Sequence, residues 1–211
     1  MVHTASLTVA PLSEAFDELL GASVHLRAVG LLVTLPDKEF TGREIAALLR
    51  VSHSNVQRAL RTLVDLGFVS KKRIGRADVI TVNKDHFAFP ALRAMFLLKR
   101  ELPDRVLADL RSAFRGSAIS VTVFGSYARG EPDRESDLDV LVVTKDPSAL
   151  KGNVAKIEVT FARKYGVPLS VKLLSRGDLK CGPIAEYIRT ASDEGVLVLG
   201  TPLGKLIGPD E

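Results

Sequence analysis

Gly125 and Ser126, followed after ten residues by Asp137-Leu138-Asp139, are the residues of this 211-residue chain whose types and spacing can do chemistry. They sit within AISVTVFGSYARGEPDRESDLDVLVV, residues 118–143. Alternate side chains of a strand share a face, so Asp137 and Asp139 lie side by side. Two neighbouring carboxylates repel each other, an arrangement normally tolerated because a divalent cation sits between them. Mg²⁺ or Mn²⁺ suits that place, since Mg²⁺ prefers carboxylate and phosphate oxygens. A glycine-serine turn lets backbone approach a ligand, and its N–H groups with the serine hydroxyl hold phosphate oxygens. A phosphate cradle followed by a metal-binding pair suggests nucleotide chemistry.

The flanking pattern supplies elements to position these groups. An apolar strand ends at Phe124, a short helical segment starts at the Gly-Ser turn, and after a polar loop a second strand carries both aspartates. Residues 153–165 read as a helix leading through Gly166-Val167-Pro168 to the strand 169–174, whose polar face presents Ser170 and Lys172. A helix over 184–190 and an apolar strand over 196–199 close the region.

A different pattern precedes it. Residues 13–35 read as one helix or two short ones, with Gly21 a break and Pro36 the stop. Thr41-Gly-Arg-Glu44 is a capping box opening a helix that ends near Arg50. Ser52 caps the next helix, where Val56, Leu60 and Leu63 share one face; Ser54, Arg58 and Arg61 lie opposite, with Gln57 beside them. After Gly67 two strands, 68–73 and 77–82, are joined by a turn at Gly75. Residues 87–115 read as a helical connector interrupted at Leu102-Pro103, because proline cannot donate the helical hydrogen bond.

Charge separates the two regions. Residues 1–100 hold 14 basic and 9 acidic side chains, the remainder 15 and 16. Nine basic and three acidic residues concentrate between 41 and 84, a net +6 that suggests a polyanionic partner, with a well-solvated surface as the other reading. A single cysteine, Cys181, excludes an internal disulfide and points to the reducing cytoplasm. The first twenty residues lack a leader pattern, and no segment approaches the roughly 18 apolar residues of a spanning helix, so no membrane partner is expected.

The segment TGREIAALLRVSHSNVQRALRTLVDLGFVSKK resembles the winged helix-turn-helix domains of bacterial and archaeal transcription regulators, over residues 14–85. The resemblance implies that the second helix of the motif enters the major groove of double-stranded DNA, with His53, Ser54, Asn55, Gln57, Arg58 and Arg61 as readers. Lys71, Lys72, Arg73 and Arg76 then lie on the wing, near phosphates or a minor groove. Such regulators commonly read two half-sites as a homodimer, while other winged helices dock proteins.

Phe124-Gly125-Ser126, the ten-residue spacer and Asp137-Leu138-Asp139 resemble the DNA polymerase beta-like nucleotidyltransferase superfamily. The fuller GSYARGEPDRESDLDVLV is similar to the minimal and aminoglycoside nucleotidyltransferases, and the resemblance covers residues 103 to about 200. It implies two Mg²⁺ ions on Asp137 and Asp139, the β and γ phosphates at Gly125 and Ser126, and Arg129 on the triphosphate. A hydroxyl would attack the α phosphorus in line and expel pyrophosphate. The superfamily usually adds a third carboxylate from a later strand, whereas the polar positions here are Ser170 and Lys172. An ammonium about 5 Å from Mg²⁺ is repelled by roughly 6–7 kcal/mol at an effective dielectric of about 20, so Lys172 points away, disfavours that metal, or binds a nucleotide phosphate. Glu158, Asp178 and Glu186 are the possible substitutes for the missing acid.

The expected fold is α+β: a winged helix-turn-helix over 1–86, a helical connector over 87–102, and a mixed-sheet nucleotidyltransferase fold over 103–211. The expected function is DNA binding joined to a domain that binds Mg²⁺–nucleoside triphosphate and transfers a nucleoside monophosphate. The alternative is a transcription regulator whose second domain has lost catalysis and serves as nucleotide sensor or dimerisation unit. One half of a toxin-antitoxin pair is a third reading. The acceptor, the base preference and the operator are not legible in the sequence.

Overall fold

The computed structural model describes residues 16–21, 23–133, 135–180 and 185–207, without the side chains of 180, 185 and 186. Cys181 and residues 1–15 lie outside them. The chain divides into two compact units between Glu101 and Leu102.

In the first unit, a helical turn over 16–19 stops before Gly21, whose φ of +67° a helix cannot hold, and α1 (Val24–Thr34) follows with Ser23 as its cap. Thr41 and Glu44 form the expected reciprocal capping box at the start of α2 (Gly42–Leu49). Arg50 then turns left-handed at φ +53°, and Ser52 caps α3 (His53–Asp65). β1 (Phe40–Thr41), β2 (Val69–Ile74) and β3 (Ala77–Val82) form an antiparallel sheet in the order β1-β3-β2. Leu32, Ile45, Val56, Leu60 and Ile80 meet in its core. β1 is a pairing of two residues, too short to leave a periodic signal.

Helix α4 (Phe89–Phe114) contains Pro103 and is not interrupted there, contrary to the expectation from sequence. Proline removes one backbone donor, but both flanking stretches are held by burial: Phe89 and Phe96 in the first unit's core, Val106, Leu110 and Phe114 in the second's.

The second unit is built on a mixed sheet of β4 (Ser120–Phe124), β5 (Leu138–Val143), β6 (Leu169–Leu174) and β7 (Val196–Gly200), in the order β6-β5-β4-β7. β4 pairs antiparallel with β5 and β7, and β5 pairs parallel with β6. The parallel connection requires a crossover, supplied by α6 (Pro147–Tyr165). That helix starts earlier than its apolar pattern suggests, because Asp146 caps it and Pro147 fits its first turn. Val121, Val123, Val140 and Val142 face Val106, Leu110, Phe114, Val154 and Phe161. The opposite face, with Phe124, Leu141, Val143 and Leu174, packs against α7 (Ala185–Glu194) and α8 (Leu203–Ile207). Between β4 and β5, Gly125 leads into the four-residue α5 (Ser126–Arg129).

Leu110 is fully buried under the sheet. Leu110→Ala is expected to destabilise the second unit by about 2–5 kcal/mol, read from urea unfolding followed by circular dichroism. A midpoint unchanged from wild type contradicts this packing.

Candidate nucleotide site and nucleic-acid interface

The antiparallel register sets Phe124 opposite Asp139, so the turn that leaves β4 passes directly beside that carboxylate. Gly125 adopts φ +74°, ψ −153°, and a Cβ there would stand 2.6 Å from Asp139 Oδ2. Only glycine satisfies both the backbone angle and the space. Asp139 is half-buried and Asp137 exposed, with Leu138 between them packed into the core.

Burial raises the Asp139 carboxyl above the usual carboxylate range. The Ser170 hydroxyl, which donates a hydrogen bond to it, opposes that shift; the like charge of Asp137 adds to it, and Lys172 and Arg129 oppose it further. This donor set fits a divalent cation: two carboxylates at one strand end, one of them costly to keep ionised, are relieved together by one dication. Mg²⁺ and Mn²⁺ match such a pair, since Mg²⁺ commonly takes one or two carboxylates and completes its shell with phosphate and water oxygens. Among the described residues no group of three or more His, Cys, Asp or Glu side chains is placed to hold a metal.

The candidates for a third acid are accounted for individually. Glu158 lies on α6 and accepts the Val171 N–H at 3.1 Å. Asp178 accepts both the N–H and the hydroxyl of Ser175 at 2.7 Å. The Glu186 side chain falls outside the described residues. The register instead places Ser170 opposite Asp139 and Lys172 opposite Leu141. Arg129 is exposed and pairs with Glu194 at 3.4 Å.

Two neighbours of Asp139 carry no function in the sequence reading. Ser170 is visible there only as a polar strand residue, and its bond to Asp139 depends on the parallel pairing. Tyr187 stands edge-on to Phe124 with ring centroids 4.8 Å apart. Its phenol is pushed up to about 12 by burial and then by Asp139. Tyr127 is likewise pushed up to about 12, by burial and then by Asp137 and Asp133.

On the first unit, Ser54, Asn55, Arg58 and Arg61 are exposed on α3. Gln57 is only partly exposed: its amide lies 3.1 Å from His53 Nε2, and a Cβ on Gly42 would meet that amide nitrogen at 2.4 Å. The Gln57 amide thus packs where α2 and α3 approach. Lys71, Lys72, Arg73 and Arg76 are exposed along the hairpin. Asp78 pairs with Lys71 at 2.7 Å and with Arg73 at 3.9 Å, and its carboxyl is held below the usual range chiefly by the Lys71 hydrogen bond. Among the described residues no helix is long and apolar enough to cross a membrane.

Residues 104–198 match the family model of the nucleotidyltransferase domain, and residues 21–76 match that of the MarR family. The chain is similar to two proteins of Methanocaldococcus jannaschii. One, named "Putative protein adenylyltransferase MJ0141", is 38% identical over 64 residues, 29% of this chain and 65% of that protein. The other, "Putative protein adenylyltransferase MJ1305", is 34% identical over 89 residues, 40% and 60% of the two chains. The chain thus spans less than two thirds of either relative. Among solved structures, a toxin-antitoxin with AMP-PNP is similar at 17% identity and a TM-score of 0.38, over 48% of this chain and 80% of that one. The Staphylococcus aureus transcription regulator MepR is similar at 16% and 0.35, over 48% and 74%.

The raised Asp139 carboxyl has a consequence for stability. An acid raised on folding binds its proton more tightly in the folded chain, so stability is lost as pH rises through its window above the ordinary carboxylate value. Asp139→Asn is therefore expected to raise the urea midpoint of the metal-free, nucleotide-free protein at neutral pH, and to lose that advantage below the ordinary carboxylate range. A lower midpoint for the variant at neutral pH contradicts the assignment.

Proposed function

We propose that this chain, which joins a MarR-family winged helix-turn-helix domain to a nucleotidyltransferase domain, binds double-stranded DNA in the cytoplasm and transfers AMP from ATP to a hydroxyl of a protein acceptor. The observation that carries the catalytic half is the contact of the Gly125 backbone with Asp139, next to Asp137. Gly125 and Ser126 then offer backbone N–H groups and a hydroxyl to the phosphates, and Asp137 and Asp139 hold the cation. When bound, Mg²⁺ or Mn²⁺ neutralises phosphate charge and orients the α phosphate. In the transfer the acceptor oxygen bonds to the α phosphorus, the bond to the β phosphate's bridging oxygen breaks, pyrophosphate leaves, and the hydroxyl proton passes to solvent. The choice of ATP and of a protein acceptor is supported by the names of the two archaeal relatives.

The DNA half rests on the exposed polar face of α3. Ser54, Asn55, Arg58 and Arg61 read base edges, and Lys72 and Arg76 take phosphates. Lys71 and Arg73 contribute less, because Asp78 already offsets them. Gln57 acts on DNA only after leaving its place against Gly42. A second copy reading an adjoining half-site gives the homodimer expected of such regulators.

Two experiments test the halves separately. Calorimetric titration of ATP with Mg²⁺ is expected to show binding to wild type that Asp137→Asn loses, and α-labelled ATP is expected to label a protein in a host cell extract only with wild type. Binding without labelling identifies a nucleotide sensor; no binding to wild type overturns the nucleotide site. For DNA, Arg58→Ala is expected to weaken duplex binding by about 1–3 kcal/mol, and Lys72→Ala to lower the salt slope by about one, both read by fluorescence anisotropy. Unchanged binding in both variants overturns the docking.

A further inference from the structure

We infer that the nucleotide site holds a single divalent cation, and that the Lys172 ammonium takes the place of a second one beside the nucleotide's phosphates. The inference rests on the nucleotide reading above and adds the number of cations and the residue that replaces one.

The first argument is ligand supply. Two dications side by side need enough anionic oxygen between and around them to offset their mutual repulsion. Asp137 and Asp139 balance the charge of one dication and leave no carboxylate for another. No third acid among the described residues joins them: Glu158 is engaged by Val171 and Asp178 by Ser175. Beside Asp139 the neighbouring strand offers Ser170, a neutral hydroxyl already donating to that carboxylate.

The second argument is the position of Lys172. Strand β6 lies parallel to β5, with Ser170 opposite Asp139 and Lys172 two residues on. Side chains two apart in a strand share a face, so Lys172 is on the face from which Ser170 meets Asp139. It is exposed, and it makes no ion pair within 4 Å with any described carboxylate. Its charge nonetheless reaches Asp139, opposing the effect of burial there. Arg129 acts on Asp139 in the same sense but is paired with Glu194. Among the described residues, Lys172 is therefore the cation beside Asp139 that makes no ion pair.

The third argument is chemical. A lysine ammonium is a compact charge with three rotatable donors on a flexible stem, suited to phosphate oxygens whose direction is set by other groups. It repels a dication placed next to it and attracts the triphosphate that accompanies the first one. Position 172 thus disfavours a second metal and compensates for its absence.

The test counts cations. The full chain is titrated with Mn²⁺ in the presence of a non-hydrolysable ATP analogue, and bound Mn²⁺ is read by electron paramagnetic resonance. Wild type is expected to hold one Mn²⁺ per chain with the analogue. Lys172→Ala is expected to keep that count while losing about tenfold in analogue affinity, equivalent to about 1.4 kcal/mol, and Lys172→Arg to recover most of it. Lys172→Asp is expected to bind a second Mn²⁺. A urea unfolding transition unchanged from wild type, followed by circular dichroism, establishes in each variant that the second unit is folded. Two Mn²⁺ ions in wild type overturn the inference and leave the nucleotide reading intact; if Glu186→Gln returns that count to one, the third ligand is Glu186. Equal analogue affinity for wild type and Lys172→Ala also overturns it. No analogue bound to wild type overturns the nucleotide reading itself.

Discussion

The approach of one backbone turn to one carboxylate organises the second unit. Because β4 and β5 run antiparallel with Phe124 opposite Asp139, the chain leaving β4 has to pass that carboxylate within a distance that leaves no room for a Cβ. The glycine angle, the abrupt start of α5 and the polar end of an otherwise apolar strand are all conditions for that passage. The helices on the two faces of the sheet keep the strands in the register that makes it possible.

That arrangement is a compromise between stability and binding. An acid raised by burial and by a like charge is an energetic cost in the empty protein, offset in part by Ser170, Lys172 and Arg129. The proposed cation would relieve the same burial and like-charge repulsion. The first unit has the opposite balance, where Asp78 lowers the net charge of a hairpin rich in lysine and arginine. The pairing shows where on the hairpin that acid acts, beside Lys71 and Arg73 and not beside Lys72 and Arg76.

Features that depend on neighbours in the chain were legible in the sequence. The Thr41–Glu44 capping box and the tight turn at Gly125 each follow from residues a few positions apart, whereas Asp137, expected within the strand of Asp139, lies just before β5, which begins at Leu138. What escaped depends on distant partners. Pro103 signals a break, yet burial on both sides carries α4 through it. Tyr187 and Ser170 reach Asp139 only through the packing of α7 and the pairing of β6. Gln57 belongs to the polar face by period, and the glycine at position 42 draws it inward. The pairing of Asp78 with Arg73 lies directly across the hairpin, so it follows once the turn at Gly75 is placed.

The crossover through α6 bears on the order in which the parts form. Asp137 and Asp139 adjoin in sequence, but Ser170 and Lys172 join them only when β6, more than thirty residues beyond Asp137, closes against β5. Closing such a loop costs entropy that short-range contacts do not, and parallel pairings of this kind form slowly. The growing chain therefore carries its two aspartates as ordinary solvated acids, without the partners that surround them later. Ser170 and Lys172 come beside Asp139 only once β6 has paired with β5, so the surroundings of that carboxylate belong to the completed sheet.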